Sequence, residues 1–368
     1  MKTVILGFDA FDPLFFESLF EQGKLPNLGR YVQSGGYARL QVSNPPQSEV
    51  SWTSIATGLN PGGHGLFDFV HRNPDTYNLH VSLLPTKQGI GGTQFVQPYS
   101  ARTLFDHAAN QGYPTTVMWW PATFPARLDS PVRTLPGLGT PDIHGRLGVG
   151  TLMTSAIDAP ERIGKTPVFY IKPMSGERFS GQLHGPIRKT RRGEQETTLK
   201  LEFSIENEES AELKIGDESV KLTKGKWSPI LKLKFKIGWF MEVHTLTRFI
   251  WTQSTPEVRL YALPLQLDPL HSPWRYGTPS SFVKDIWKNC GPYLTLGWPQ
   301  DTIGLEDGCI TDTNFLDLCD DIYQVRVCTL HHQLRNFQEG VLAVVFDSLD
   351  RIQHMFWRDR PDIIERWY

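Results

Sequence analysis

Two aspartates, one histidine and one serine, far apart in the chain, have the types needed to hold divalent cations and attack phosphorus. Asp9 closes a short apolar run, Thr3 to Phe8, and Asp350 follows a second, Val341 to Phe346. In open α/β sheets ligands gather at the carboxyl ends of strands, where an aspartate is placed to hold a metal. Taken singly, either aspartate reads more readily as a helix cap or turn residue than as a metal ligand. Asp350 and His354 stand four positions apart, one helical turn, so both can reach one cation. That spacing also describes an ordinary surface pair. Ser48 follows Pro45-Pro46-Gln47 and opens a helix-compatible stretch, where free backbone N–H groups attract phosphate. A neighbouring cation lowers a serine's pKa and makes it a nucleophile. The bland alternative is a serine N-cap, worth about 1 kcal/mol.

These groups must be positioned by an alternation of strands and helices. Thr3 to Phe8 reads as a central strand buried on both faces. Asp12-Pro13 opens a helix closed by Gly23, Leu28 to Val32 is a further short helix, and Gly35 to Val42 returns as a strand. Arg102 to Asn110 is helical and Thr115 to Trp119 is a strand, which argues for an α/β fold. The middle changes character. Thr198 to Ile205, Ala211 to Ile215, Val220 to Leu222 and Leu231 to Ile237 alternate apolar with polar residues, with Gly216-Asp217 and Lys224-Gly225 as turns. The expected division is an α/β core over 1–159, a β-rich insertion over 160–265, and the core continued over 266–368. Helical patterning resumes over Ser280 to Lys288 and from a cap at Asn314 onward.

Composition limits the partners. The chain has 368 residues with 37 lysines and arginines against 39 acidic residues. A formal charge of −2 gives no bulk attraction to nucleic acid or anionic lipid. No apolar run approaches the roughly 18 residues that span a bilayer, so no membrane partner is expected. Four cysteines without a C-x-x-C pair indicate neither a disulfide framework nor a zinc knuckle, and a reducing cytoplasm fits them.

Other features read as structural. Ile163-Gly-Lys-Thr166 lacks the earlier glycine of a phosphate-binding loop. Arg188 to Arg192 is a basic hairpin tip, and His331-His332 is a surface pair. Trp119-Trp120 and Thr140 to Asp142 either line a cleft or pack in the core.

Four motifs in order, GFDAFD at 7–12, PPQSEVSWTSIATGLNPGGHGLFDF at 45–69, GLGTPD at 137–142 and VVFDSLDRIQHMFW at 344–357, resemble the type I phosphodiesterase/nucleotide pyrophosphatase family of the alkaline phosphatase superfamily. The resemblance implies an alkaline-phosphatase-like sheet flanked by helices and interrupted by the β-rich insertion. It implies a metal-dependent phosphoric-ester hydrolase acting on a small phosphate ester or nucleotide through a phosphoseryl intermediate. Ser48 matches the nucleophile and bridges to the metal on Asp9, while Asp350 and His354 match the pair on the other metal. His64 matches an architectural turn. Two divalent ions clamp the entering and leaving oxygens of an in-line displacement. Nitrogen and carboxylate ligands suit zinc, with manganese as a substitute. A phosphomutase of the same superfamily, or a non-catalytic remnant binding ligand through the insertion, are the alternatives. The family's further Asp-His pair and last His have no match before Tyr368. The expectation is therefore a truncated chain ending in mid-helix, lacking the C-terminal part of the fold and exposing apolar sheet edges.

Overall fold

A computed structural model describes residues 2–73, 75–89, 92–190, 193–238 and 241–368. Its centre is a four-stranded parallel sheet in the order Lys2–Phe8, Gly340–Phe346, Thr115–Trp120, Arg133–Pro136. Gly340–Phe346 carries the least polar run and is buried along its whole length. Its alternate residues serve opposite layers, as a strand's period of two requires. Val341, Ala343 and Val345 meet Ala56 and Phe105 on one side. Leu342, Val344 and Phe346 meet Phe282, Ile286 and Leu330 on the other. Helices Ser48–Thr57 and Leu104–Asn110 thus cover one face, and helices Ser280–Cys290 and Asp312–Arg335 the other. The mixed α/β class with a parallel central sheet agrees with the sequence reading.

Several local expectations are corrected. Lys2–Phe8 is an edge strand and not a central one: among the described residues it pairs only with Gly340–Phe346, and Val4, Leu6 and Phe8 keep 40%, 47% and 45% exposure. Gly35 to Val42 forms no strand; Leu40 and Val42 are exposed on an irregular segment with no described ladder partner. The long helix is capped by Thr311, with Asn314 three residues in completing a reciprocal capping box. Asp362 to Tyr368 is not mid-helix, because Pro361 starts a short helix that ends at Glu365. The Tyr368 hydroxyl then accepts the Asp12 N–H at 2.8 Å, and its ring packs on Phe11 and Phe15.

The strand-rich middle is largely antiparallel as expected, except that Thr166–Tyr170 pairs parallel with Thr151–Thr154. Arg178–Thr190, Gly193–Ile205, Ser210–Ile215 and Glu218–Thr223 form a meander around a core of Leu201, Phe203, Leu213 and Trp251. Its neighbouring sheet already includes Thr151–Thr154, earlier than position 160. That sheet shares one apolar cluster with the last helices, through Leu152, Ile250, Tyr261, Phe315 and Ile352. Cys290 and Cys328 form a disulfide between the two helices on one face of the central sheet, Cα atoms 5.8 Å apart, which the cysteine spacing does not announce. Among the described residues no helix is long and apolar enough to cross a membrane.

At the sheet's carboxyl end, Arg326 donates to both oxygens of buried Asp347, at 2.7 and 2.8 Å, and to the Val345 carbonyl at 3.1 Å. Breaking a buried pair leaves an uncompensated charge. Arg326→Met is therefore expected to lower unfolding stability by about 3–5 kcal/mol in urea titration. A loss below about 1 kcal/mol would show that the pair contributes little.

Candidate active site

The parallel register sets Phe8 opposite Phe346, and the Asp9 N–H extends the ladder to the Phe346 carbonyl at 2.9 Å. Asp9 therefore leaves the sheet beside the turn into helix Ser48–Thr57 on one flank and helix Ser348–Phe356 on the other. Asp9, Ser48, Asp350 and His354 all line one cleft of ≈ 720 Å³. Four positions spread over most of the chain are thus brought together.

Ser48 is the first helical residue and not the cap. Gln47 occupies the cap position and makes no side-chain capping bond. The Ser48 hydroxyl instead donates to Asp9 Oδ1 at 3.1 Å. Trp52, one turn on, donates its indole N–H to the same oxygen at 2.8 Å. Trp52 can lie against the strand because residue 7 is glycine: a Cβ there would meet the Trp52 ring at 2.5 Å. Trp120 backs that ring edge-on and donates to the Trp52 carbonyl at 3.1 Å.

Burial and the nearby Asp350 carboxylate push the Asp9 pKa up to about 6, against the opposing pull of Arg351 and the Trp52 hydrogen bond. Asp350 is buried, bonded by Arg351, with His354 Nε2 3.5 Å from its other oxygen. His354 is more than half exposed and faces the cleft. Arg351 is buried, with its guanidinium carbon 3.4 Å from the centroid of the Trp298 ring. Two carboxylates crowded at a strand end, beside a hydroxyl and an imidazole, are a hard-to-borderline donor set suited to divalent cations. Asp9 with Ser48, and Asp350 with His354, are the residues able to hold them.

Trp52 and Arg351 were not singled out from sequence. Trp52 lies at i+4 from Ser48, and Arg351 stands beside Asp350, but both spacings are too common to be diagnostic. His64 is buried against Ser54 Oγ at 2.9 Å and accepts the Leu66 N–H at 3.2 Å, which agrees with an architectural role. Trp119, Trp120, Thr140 and Asp142 are buried and do not line the cleft. In the Ile163 to Thr166 turn, the Lys165 and Thr166 N–H groups bind Asp307 of the same chain. Arg188 bonds Gln195, while Arg191 and Arg192 lie outside the described residues. His332 pairs with Asp285 at the surface.

The family described as type I phosphodiesterase / nucleotide pyrophosphatase matches residues 3–366. A match extending to within two residues of Tyr368 gives no support to the expected truncation or to a missing C-terminal part of the fold. No curated protein matches the chain, and no solved structure does.

The packing around Asp9 yields a test. Trp52→Phe keeps an aromatic ring but removes the hydrogen bond that lowers the Asp9 pKa. In metal-free protein, carboxyl-carbon NMR titration is expected to place Asp9 above about 6 in this variant. An unchanged or lower value would remove Trp52 from the account.

Proposed function

Because the chain belongs to the type I phosphodiesterase / nucleotide pyrophosphatase family, a family of phosphoester hydrolases, we propose that the Asp9 cleft cleaves a small phosphoric ester or nucleotide, with Ser48 as nucleophile. The observation carrying this reading is that the Ser48 hydroxyl is bonded to Asp9 and not used to cap its helix. Its oxygen faces a cleft large enough for a nucleotide-sized ligand.

Ser48 sits in the first turn of a ten-residue helix, where unpaired N–H groups and the helix dipole favour an incoming phosphate. Asp9 orients the hydroxyl, and Trp52 orients Asp9. Attack by Ser48 Oγ forms a P–O bond to serine and breaks the ester bond to the leaving oxygen, which takes up the proton given up by the serine hydroxyl. Water then hydrolyses the phosphoserine, returning Ser48 and releasing the phosphoryl product. The family is generally dependent on divalent metal. Asp9, Ser48, Asp350 and His354 supply two ligands per ion, short of the three that a catalytic zinc site takes from a protein; zinc, or manganese as a substitute, would when bound lower the serine pKa and neutralise phosphate charge. Asp9 with Ser48 would hold one, and Asp350 with His354 the other. The parallel sheet with its carboxyl-end cleft accords with an alkaline-phosphatase-like arrangement.

Ser48→Ala, with folding checked by circular dichroism, is expected to lower turnover of bis(p-nitrophenyl) phosphate by about 10³-fold or more. Acid quenching of the parent enzyme during turnover of this diester should trap a p-nitrophenyl phosphoryl group on Ser48. Retention of the parental rate by Ser48→Ala would disprove the nucleophile assignment. Dialysis against a chelator should abolish turnover and added zinc or manganese restore it, while full activity in chelator would remove the metals from the scheme.

A further inference from the structure

We propose that His244, Asp268 and His271 form a separate divalent-metal site of zinc class, built into the strand-rich part of the chain and independent of the Asp9 cleft. One nitrogen from each histidine and one carboxylate oxygen lie within 4.8 Å of one another.

The backbone brings them together. In the sheet formed by Leu231–Lys236, Glu242–Thr247 and Gln266–Leu267, Thr245 pairs with Leu267 and Leu246 with Gln266. One step further along the same antiparallel ladder, Asp268 N–H points to the His244 carbonyl at 3.4 Å. The chain then turns at Asp268-Pro-Leu-His271, with the His271 N–H donating to the Asp268 carbonyl at 3.1 Å, which returns His271 over Asp268. Three ligands thus come from a strand and one tight turn.

The chemistry of Asp268 points to a cation. Its side chain is only 3% exposed, and no lysine or arginine among the described residues pairs with it. Oδ1 accepts the Leu270 N–H at 2.9 Å, while Oδ2 is turned to His271 Nδ1 at 2.9 Å. A buried carboxylate with so little compensation is costly unless a positive charge joins it. Two imidazoles and one carboxylate are the donor set of a three-ligand zinc site, with a fourth position for water or another oxygen. Glu242 Oε2 lies 4.0 Å from His244 Nε2 and is a further carboxylate oxygen beside the cluster. Lys234, the ladder partner of His244, is exposed.

The imidazoles stack at 4.6 Å with planes 24° apart, so their in-plane lone pairs run side by side. Convergence on one ion requires one ring to turn. His271, its side chain 56% exposed, has room to do so by exchanging its Nδ1 hydrogen bond to Asp268 for coordination. Closing the site would tie the turn after Leu267 to the strand carrying His244, so metal should raise thermal stability by linkage.

The test uses the full chain carrying Asp9→Asn and Asp350→Asn, which weaken the cleft's own cation sites, with folding verified by circular dichroism. After chelator treatment, Co²⁺ titration followed by visible absorption and calorimetry is expected to show one ion bound per chain with imidazole-type ligand-field bands. Adding His271→Ala, at an exposed position, should weaken binding by more than the roughly 10–100-fold that loss of an outer-shell partner costs. The thermal shift with zinc should disappear with it. Absence of Co²⁺ binding in the parent background, or equal affinity and spectrum after His271→Ala, would overturn the proposal.

Discussion

The register between two parallel strands is the constraint on which the candidate site depends. Phe8 faces Phe346, so the chain leaves the sheet at Asp9 and at Asp347 side by side. A slip of one residue would turn the side chains of a strand to the opposite face. Asp9 would then point away from Ser48 and Trp52. The fully buried Gly340–Phe346 strand resists such a slip, because its alternate residues are committed to two different apolar layers. The neighbouring edge strand has less to hold it: its outward residues are part-exposed, and Gly7 is its one fully buried position. That glycine is where Trp52 comes against the sheet. Packing and chemistry are therefore joined at one residue, since the ring that fills the space above Gly7 also bonds Asp9.

Much of this was legible in the sequence, and the reasons differ from element to element. The strand Gly340–Phe346 stands out because seven consecutive small and apolar residues suit burial on both faces. The antiparallel middle stands out because strict alternation, as in Leu231–Lys236, has one buried and one wet face. The first strand misled because its composition is equally apolar, and composition does not say whether a neighbour lies on both sides. Gly35 to Val42 misled for the same reason: β-branched and aromatic residues permit a strand but do not supply a partner.

At the site, Asp9, Ser48, Asp350 and His354 were each weak signals singly and became specific only through four motifs in order. The structure adds that all four meet in one cleft. Trp52 escaped notice because its importance is tertiary: the hydrogen bond to Asp9 depends on strand–helix packing that no local spacing reveals. The disulfide between Cys290 and Cys328 is similar, joining residues 38 apart on two helices whose adjacency is set by the sheet beneath them. The His244, Asp268 and His271 cluster also lay outside sequence reasoning, because one ligand comes from across a ladder whose register had to be known first.

The charges near the cleft argue for a cation in their own terms. Asp347 is matched by Arg326, which binds both of its oxygens and is itself buried, so that pair is locally neutral. Asp9 and Asp350 remain, with Arg351 as the buried cation beside them. Arg351 is held by Asp350 and by the face of Trp298, while its Nε and Nη2 are buried and reach no acceptor among the described residues. A guanidinium so placed offsets one carboxylate and not two. Burial first, and the Asp350 charge after it, raise the Asp9 pKa, against the opposing pull of Arg351. A divalent ion held by Asp9 would favour that carboxylate in its charged form and lower the pKa of the Ser48 hydroxyl bonded to it. In the proposed reading, the crowding that raises the Asp9 pKa is also what would let cations held there make Ser48 reactive.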